Sequence, residues 1–225
     1  MDGKTHSDSM REGREKFKNL TFRKKLGYIW DYYKAVIGGI LVGIVVLAVC
    51  IQTMRSSGKE MIFSAALINA QKTDISKTAE LQEDFEEYLG LDEKKQSLSL
   101  DDSYIIDLKG GDQVTVACQT KLMASLQADR LDLILMPEDV YKNYLKSGAF
   151  AKLEDKLGKE FLEEMQEFWC MGRREDEMED AVYALKIAGN DKLRDIYGER
   201  EVYLAVPAGA SRIEEIRAFV KYLLS

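Results

Sequence analysis

The hydrophobic pattern is dominated by residues 35–51, a run of 17 positions without a charged side chain. At about 1.5 Å per residue, a helix through residues 35–54 is about 30 Å long, which matches the hydrocarbon thickness of a bilayer. A core helix of this length would show a polar face, and Cys50 with three glycines does not supply one. The pattern therefore predicts a transmembrane helix at residues 35–54.

The residues that flank this run predict its orientation. Residues 1–34 carry nine Lys and Arg, whereas the other side begins with only Arg55 and Lys59. Aromatic side chains suited to the lipid headgroup layer directly precede the run, at Tyr28, Trp30, Tyr32 and Tyr33. The positive-inside bias predicts a cytoplasmic tail at 1–34, a linker at 55–59 and an extracellular domain at 60–225. We expect a single-pass protein of the cell membrane.

Two alternatives to a plain anchor remain open. The tetrapeptide that ends at Cys50 resembles a bacterial lipoprotein processing site, although Val49 stands where such sites have Gly, Ala or Ser. Ala35, Gly39 and Gly43 recur every four residues, a spacing that allows a homodimer through the span but is also common in ordinary membrane helices. The basic tail adds membrane lipid as an expected partner.

Beyond residue 59, apolar runs of strand length alternate with stretches of helical periodicity, which predicts an α/β fold. The strands are predicted at 61–69, 131–136, 181–187 and 202–207. The helices are predicted at 73–89, 113–128, from Pro137, around 161–169, at 191–197 and at the carboxyl terminus. Because the central runs are apolar throughout, we expect a mostly parallel sheet with helices on both faces.

Charge and composition exclude several kinds of function. Residues 60–225 carry 21 Lys and Arg against 34 Asp and Glu, a net charge of −13, so we expect no nucleic-acid partner. His6 is the only histidine, and the cysteines Cys50, Cys118 and Cys170 show no metal-ligand spacing. We therefore expect no metal, no cofactor and no enzyme, and whether Cys118 pairs with Cys170 stays open.

The candidate ligand-binding residues follow from the α/β pattern. In an open α/β sheet, ligands favour the crevice beyond the carboxyl ends of the strands. The polar or turn residues at such positions are Asn69, Gln71, Asp112, Gln113, Pro137 and Glu138. The alternative is that they are turn and helix-capping residues.

Two segments resemble the extracellular solute-binding proteins of bacterial ABC importers, over about 60 residues. In residues 121–157 the resemblance lies in a strand of the type D-(V/L)-I, a helix and a G-A-(F/L)-x-x-L element. The matching positions are Asp132, Leu133, Ile134, Tyr141, Tyr144, Gly148, Ala149, Phe150 and Leu153. In residues 202–224 they are Tyr203, Pro207, Ala218, Phe219, Tyr222 and Leu223. Residues 28–34 with the glycines that follow are also similar to single-span membrane proteins of Firmicutes.

The resemblance implies a periplasmic-binding-protein-like fold and a binding function. A family member has two lobes, whereas residues 60–225 suffice for one lobe. We therefore expect a membrane-anchored extracellular module that recognises a small ligand or a partner protein. The alternative is a structural or assembly protein that uses the exterior domain as a protein-docking surface.

Overall fold

The apolar runs beyond residue 59 form a single sheet in the computed structural model, which describes residues 58–70 and 76–225. The strands are β1 (Glu60–Leu67), β2 (Gln96–Asp101), β3 (Leu133–Met136), β4 (Trp169–Gly172), β5 (Ala181–Ile187) and β6 (Val202–Ala205). Their order across the sheet is β2-β1-β3-β6-β5-β4. The predicted α/β class is confirmed.

The sheet is mixed, so the expectation of a mostly parallel sheet was wrong. Strand β1 runs parallel to β2 and to β3. The pairings β3–β6, β6–β5 and β5–β4 are all antiparallel. A strand that is buried on both faces reads as a continuous apolar run in either direction, so the pattern could not reveal strand direction.

Seven helices lie among the described residues. They are α1 (Ser76–Leu89), α2 (Gln113–Gln127), α3 (Glu138–Lys146), α4 (Leu153–Leu157), α5 (Lys159–Glu164), α6 (Asp191–Tyr197) and α7 (Ile213–Leu224). Gly90 has φ +64° and ends α1, since glycine adopts the left-handed conformation that commonly terminates a helix. The predicted first turn of that helix, at 73–75, lies outside the described residues.

Two details of the helix and strand prediction were wrong. The helix around 161–169 ends as α5 at Glu164, a short 3-10 turn follows, and Trp169 begins β4. The Trp169 indole donates a hydrogen bond to the Leu162 carbonyl, 2.9 Å away, across this break. Strand β2 was missed because its serines and glutamine conceal the two buried positions, Leu98 and Leu100.

Side chains of the central strands point alternately into two cores. On one face, Phe63 of β1 packs against Phe219 of α7 with ring centroids 5.0 Å apart, among residues of α1, α4, α5 and α6. On the other face, Ala66 and Ile68 pack with residues of α2 and α3. Of the seven described helices, five thus cover the first face and two cover the second.

No helix within residues 58–70 and 76–225 combines the length and the hydropathy that a bilayer span requires. The predicted tail at 1–34, the predicted span at 35–54 and most of the linker lie outside the described residues. The described residues from 59 onward form one compact unit.

A buried ion pair ties the start of α7 to the sheet. The Asp132 carboxylate is 1% exposed, accepts a hydrogen bond from the Ser64 backbone N–H at 2.8 Å and lies 2.7 Å from the Arg212 guanidinium. Burial raises the pKa of Asp132, although the hydrogen bonds from Ser64 and Arg212 counteract part of this effect. Ionised Asp132 therefore depends on Arg212 for compensation.

We expect Arg212→Met to lower the free energy of unfolding by about 3 kcal/mol at neutral pH, because it leaves a buried carboxylate unpaired. The raised pKa means that the folded state holds the Asp132 proton to a higher pH than the unfolded state does. The loss should therefore shrink as the pH falls through the folded-state pKa and the carboxylate is neutralised. Urea unfolding of the full chain at several pH values measures this.

Arg194→Met is the matched control, because Arg194 is half exposed and pairs with exposed Asp191 and Glu199. It should cost less than about 1 kcal/mol. A loss from Arg212→Met that is equally small, or that does not change with pH, would contradict the assigned role of the Asp132–Arg212 pair.

Candidate functional site

The carboxyl ends of β1, β2 and β3 lie at one edge of the sheet because these strands are parallel. Asn69 and Pro137 both lie at this edge, since Ile68 donates a backbone hydrogen bond to the Leu135 carbonyl at 2.8 Å. The structure therefore brings together the candidate residues that follow β1 and β3. Gln71 lies outside the described residues.

Asn69 uses its side chain to hold the segment that follows β2. Its amide nitrogen donates to the Ile106 carbonyl, and its amide oxygen accepts from the Ile106 N–H, both at 2.8 Å. Its backbone has φ +56°, and its carbonyl accepts a hydrogen bond from Arg200 at 3.1 Å. Both the nitrogen and the oxygen of the side-chain amide are thus hydrogen-bonded within the protein.

The remaining candidates lie at helix starts. The Asp112 carboxylate accepts a hydrogen bond from the Thr115 N–H at 2.6 Å and caps α2, while Gln113 is the exposed first residue of that helix. Pro137 directly precedes α3. Glu138 is exposed and lies 2.6 Å from Lys142, which lowers the pKa of Glu138. These contacts are those of capping and turn residues.

Cys118 and Cys170 are both free thiols in the structure. Burial raises the pKa of Cys170, although the hydroxyl of neighbouring Tyr141 lowers it in part. A raised pKa reduces the thiolate fraction and with it the reactivity of the thiol. Among the described residues, no group of three or more His, Cys, Asp or Glu side chains is arranged to hold a metal ion.

Two of the open grooves on the surface of the described residues are large, and neither is lined by Asn69, Asp112, Gln113, Pro137 or Glu138. One, of about 700 Å³, lies between α5 and α7. In it, Arg217 donates to the Leu157 carbonyl, and Lys221 pairs with Glu164 at 3.6 Å. The other, of about 670 Å³, is lined by four glutamates, Glu83, Glu86, Glu87 and Glu93. Neither groove is an enclosed crevice for a small ligand.

The helix α2 has a surface that the sequence analysis did not identify. Only Thr115 and Leu122 of its 15 residues are buried. One side of the helix is exposed along its whole length, and we call it the α2 face. It consists of Gln113, Val116, Ala117, Thr120, Met123, Ala124 and Gln127.

The α2 face is apolar on both sides of its central residue, Thr120, and carries no charge. Val116 is 53% exposed and Met123 is 43% exposed, and Ile105 and Val114 are further exposed apolar residues on α2 or on the segment beside it. Lys121 is the only charged residue between positions 113 and 128, and it lies beside the face, 2.6 Å from Asp101 and over the Tyr104 ring. Its charge is thus balanced within the domain, and the hydrogen bonds from Lys121 and Ser103 lower the pKa of Asp101 despite its partial burial.

A signal for this surface was present in the sequence. The whole chain is 32% charged, yet the 15 residues of α2 contain a single charge. A helix with so few charges is expected to be buried, but α2 contributes mainly Leu122 to the core, with Cys118 and Leu126 partly buried around it. The sequence shows that this helix is nearly uncharged, and the structure shows that it is nevertheless largely exposed.

No family model, curated protein or solved structure matches this chain.

We expect Asn69→Ala to lower the free energy of unfolding by about 2 kcal/mol. The substitution removes both hydrogen bonds to Ile106 and places an alanine at φ +56°, where a Cβ atom is strained. Asn69→Gly should cost less, because glycine adopts positive φ without strain. Urea unfolding of the full chain, followed by circular dichroism, measures both variants.

The test is whether Asn69→Ala loses more free energy of unfolding than Asn69→Gly does. If Asn69→Ala unfolds at the same urea concentration as the unmodified chain, the Asn69 amide does not stabilise the loop and is free for another role.

Proposed function

We propose that this protein is a membrane-anchored binding module whose extracellular domain docks a protein through the α2 face. The observation that carries the proposal is that an uncharged, apolar helix face is exposed on a domain with a net charge of −13. Exposed apolar residues are common singly, but contiguous ones indicate an interaction surface. Val116 and Met123, two of the eight large apolar side chains that are exposed among the described residues, lie on the same side of the α2 face.

The positions that resemble solute-binding proteins support the fold part of the proposal and not a ligand site. Asp132 pairs with Arg212, and Tyr141, Phe150, Tyr203 and Phe219 are all less than 5% exposed. Residues buried in this way stabilise a lobe and do not contact a solute. We propose a single lobe similar to those of solute-binding proteins, retained as a scaffold.

The contacts at the carboxyl edge favour a protein partner over a small ligand. A small-molecule site needs a concave pocket with polar groups that converge on the ligand. The side chain of Asn69 is bonded to Ile106, that of Asp112 caps α2, and that of Glu138 pairs with Lys142. A flat apolar helix face, in contrast, is the kind of surface that another helix covers.

The sequence of residues 1–54 supports the proposed membrane anchor and the proposed exterior location of the domain. The apolar run of 17 residues and the nine basic residues before it support both parts of the proposal. An exterior acidic domain is also repelled by an anionic membrane surface, so its docking contacts are expected to be with protein.

Cysteine labelling in intact cells tests the proposal. Met123→Cys places a thiol on the α2 face, and Met178→Cys, at a position that is 93% exposed in the loop before β5, is the matched control. In a host without an outer membrane, a membrane-impermeant maleimide should label Met178→Cys readily and Met123→Cys roughly fivefold more slowly. After solubilisation and dilution the labelling rate of Met123→Cys should rise by a similar factor, whereas that of Met178→Cys should stay unchanged. The parent chain, with its native cysteines, gives the background.

The two variants test different parts of the proposal: Met178→Cys tests the location of the domain, and Met123→Cys tests docking of the α2 face. If the control Met178→Cys is not labelled in intact cells but is labelled after lysis, the domain is not on the exterior. If both variants are labelled equally fast in intact cells, the α2 face is not docked and the proposed function is wrong.

A further inference from the structure

We infer that the occupant of the α2 face is the α2 face of a second copy of this chain, in an antiparallel pair with its two-fold axis at Thr120. The inference rests on the proposed function and names its partner. It follows from the order of residues along the face, from their charge and from their size.

The α2 face matches itself about Thr120. In an antiparallel helix pair centred on that residue, Val116 of one copy lies beside Met123 of the other, because the two positions are nearly equally far from the centre. By the same symmetry Ala117 lies beside Ala124, and Gln113 beside Gln127. Large apolar side chains meet each other, small side chains meet each other, and amides meet at both ends of the contact.

All of these positions are available for contact. Each of the seven residues of the α2 face is exposed in the structure, whereas the residues that turn away from it, such as Thr115 and Leu122, are buried. The small residues Ala117 and Ala124 allow the two helices to approach closely on one side of the contact. Val116 and Met123 supply apolar area on the other side.

The absence of charge permits a second copy to dock on this face. Two domains with a net charge of −13 repel each other across most orientations. The acidic surface of α1, with Glu83, Glu86 and Glu87, illustrates a region where a second copy would be rejected. The α2 face carries no charge, and Lys121 beside it is balanced by Asp101, so two copies meet there without burying an unpaired charge.

The size of the contact predicts a dimer that depends on local concentration. A helix of 15 residues is about 22 Å long, and two such helices in contact bury less than the roughly 1,200 Å² of a stable interface. Two copies anchored in one membrane have a high effective concentration, which compensates for a small interface. The dimer is therefore expected in the membrane and not in dilute detergent.

Disulfide crosslinking in native membranes tests the contact at its centre. Thr120→Cys places a thiol on the two-fold axis, where the thiols of two copies are close enough to bond. Asn143→Cys, exposed on α3, which covers the same face of the sheet, is the matched control. With an added oxidant, Thr120→Cys should give a crosslinked dimer well above the background of the parent chain, and Asn143→Cys should not.

A charge exchange tests the register. Adding Met123→Glu to the Thr120→Cys chain places an unpaired carboxylate against Val116 of the other copy, and the crosslinked fraction should fall by about tenfold, equivalent to about 1.4 kcal/mol. Adding Val116→Lys as well should restore it, because Lys and Glu then meet twice across the axis. Positions 116 and 123 are seven residues apart in one helix and are not neighbours there, so the restoration must occur between copies. Met178→Glu should have no effect.

The results separate the inference from the proposed function. If Thr120→Cys crosslinks no better than Asn143→Cys, or if Val116→Lys does not restore crosslinking, the paired α2 arrangement is overturned. If this happens while Met123→Cys remains protected from the maleimide in intact cells, another protein covers the α2 face and the proposed function stands. Circular dichroism of each variant checks that these exposed substitutions leave the fold unchanged.

Discussion

The structure depends on the requirement that the central strands β1 and β3 be buried on both faces. Their side chains alternate between two cores, and every residue from Phe63 to Ile68 other than Ser64 is fully buried. Such strands cannot remain beside water, so helices must cover each face of the sheet. The order of the strands places β1 and β3 in the interior of the sheet, between β2 and β6.

The two faces meet this requirement unequally. Five helices cover the face that holds Phe63, Phe85 and Phe219, and the rings of these residues pack with centroids 4.8 to 5.6 Å apart. Of the helices within residues 76–225, only α2 and α3 cover the other face, where α3 buries four of its nine residues and α2 buries two of fifteen. A helix that contributes so little to the core leaves most of its surface for other contacts. The composition of that surface, without charge on an acidic domain, is the basis of the proposed docking function.

Ion pairs and hydrogen bonds fix the loops at the edges of this sheet. The Asp132–Arg212 pair joins the start of β3 to the start of α7, and Asn69 joins the end of β1 to the segment after β2. Both groups look like site residues in a sequence, because a charged residue beside a strand and a polar residue after a strand also occur in binding sites. Their partners are 80 and 37 residues away along the chain, so their structural role is visible only once the fold has brought the partners together.

Local patterns by themselves determined the α/β class, the places of β1, β3, β5 and β6 and most helices, because apolar periodicity and capping residues act over a few positions. The predicted span at 35–54 also rests on such local patterns alone. Strand direction, the strand β2 and the break of the helix before Trp169 were decided by the tertiary structure, since each depends on pairing between distant segments. The same holds for the α2 face: its residues are uncharged in the sequence, but only the packing of Thr115 and Leu122 against the sheet decides which side of the helix remains exposed.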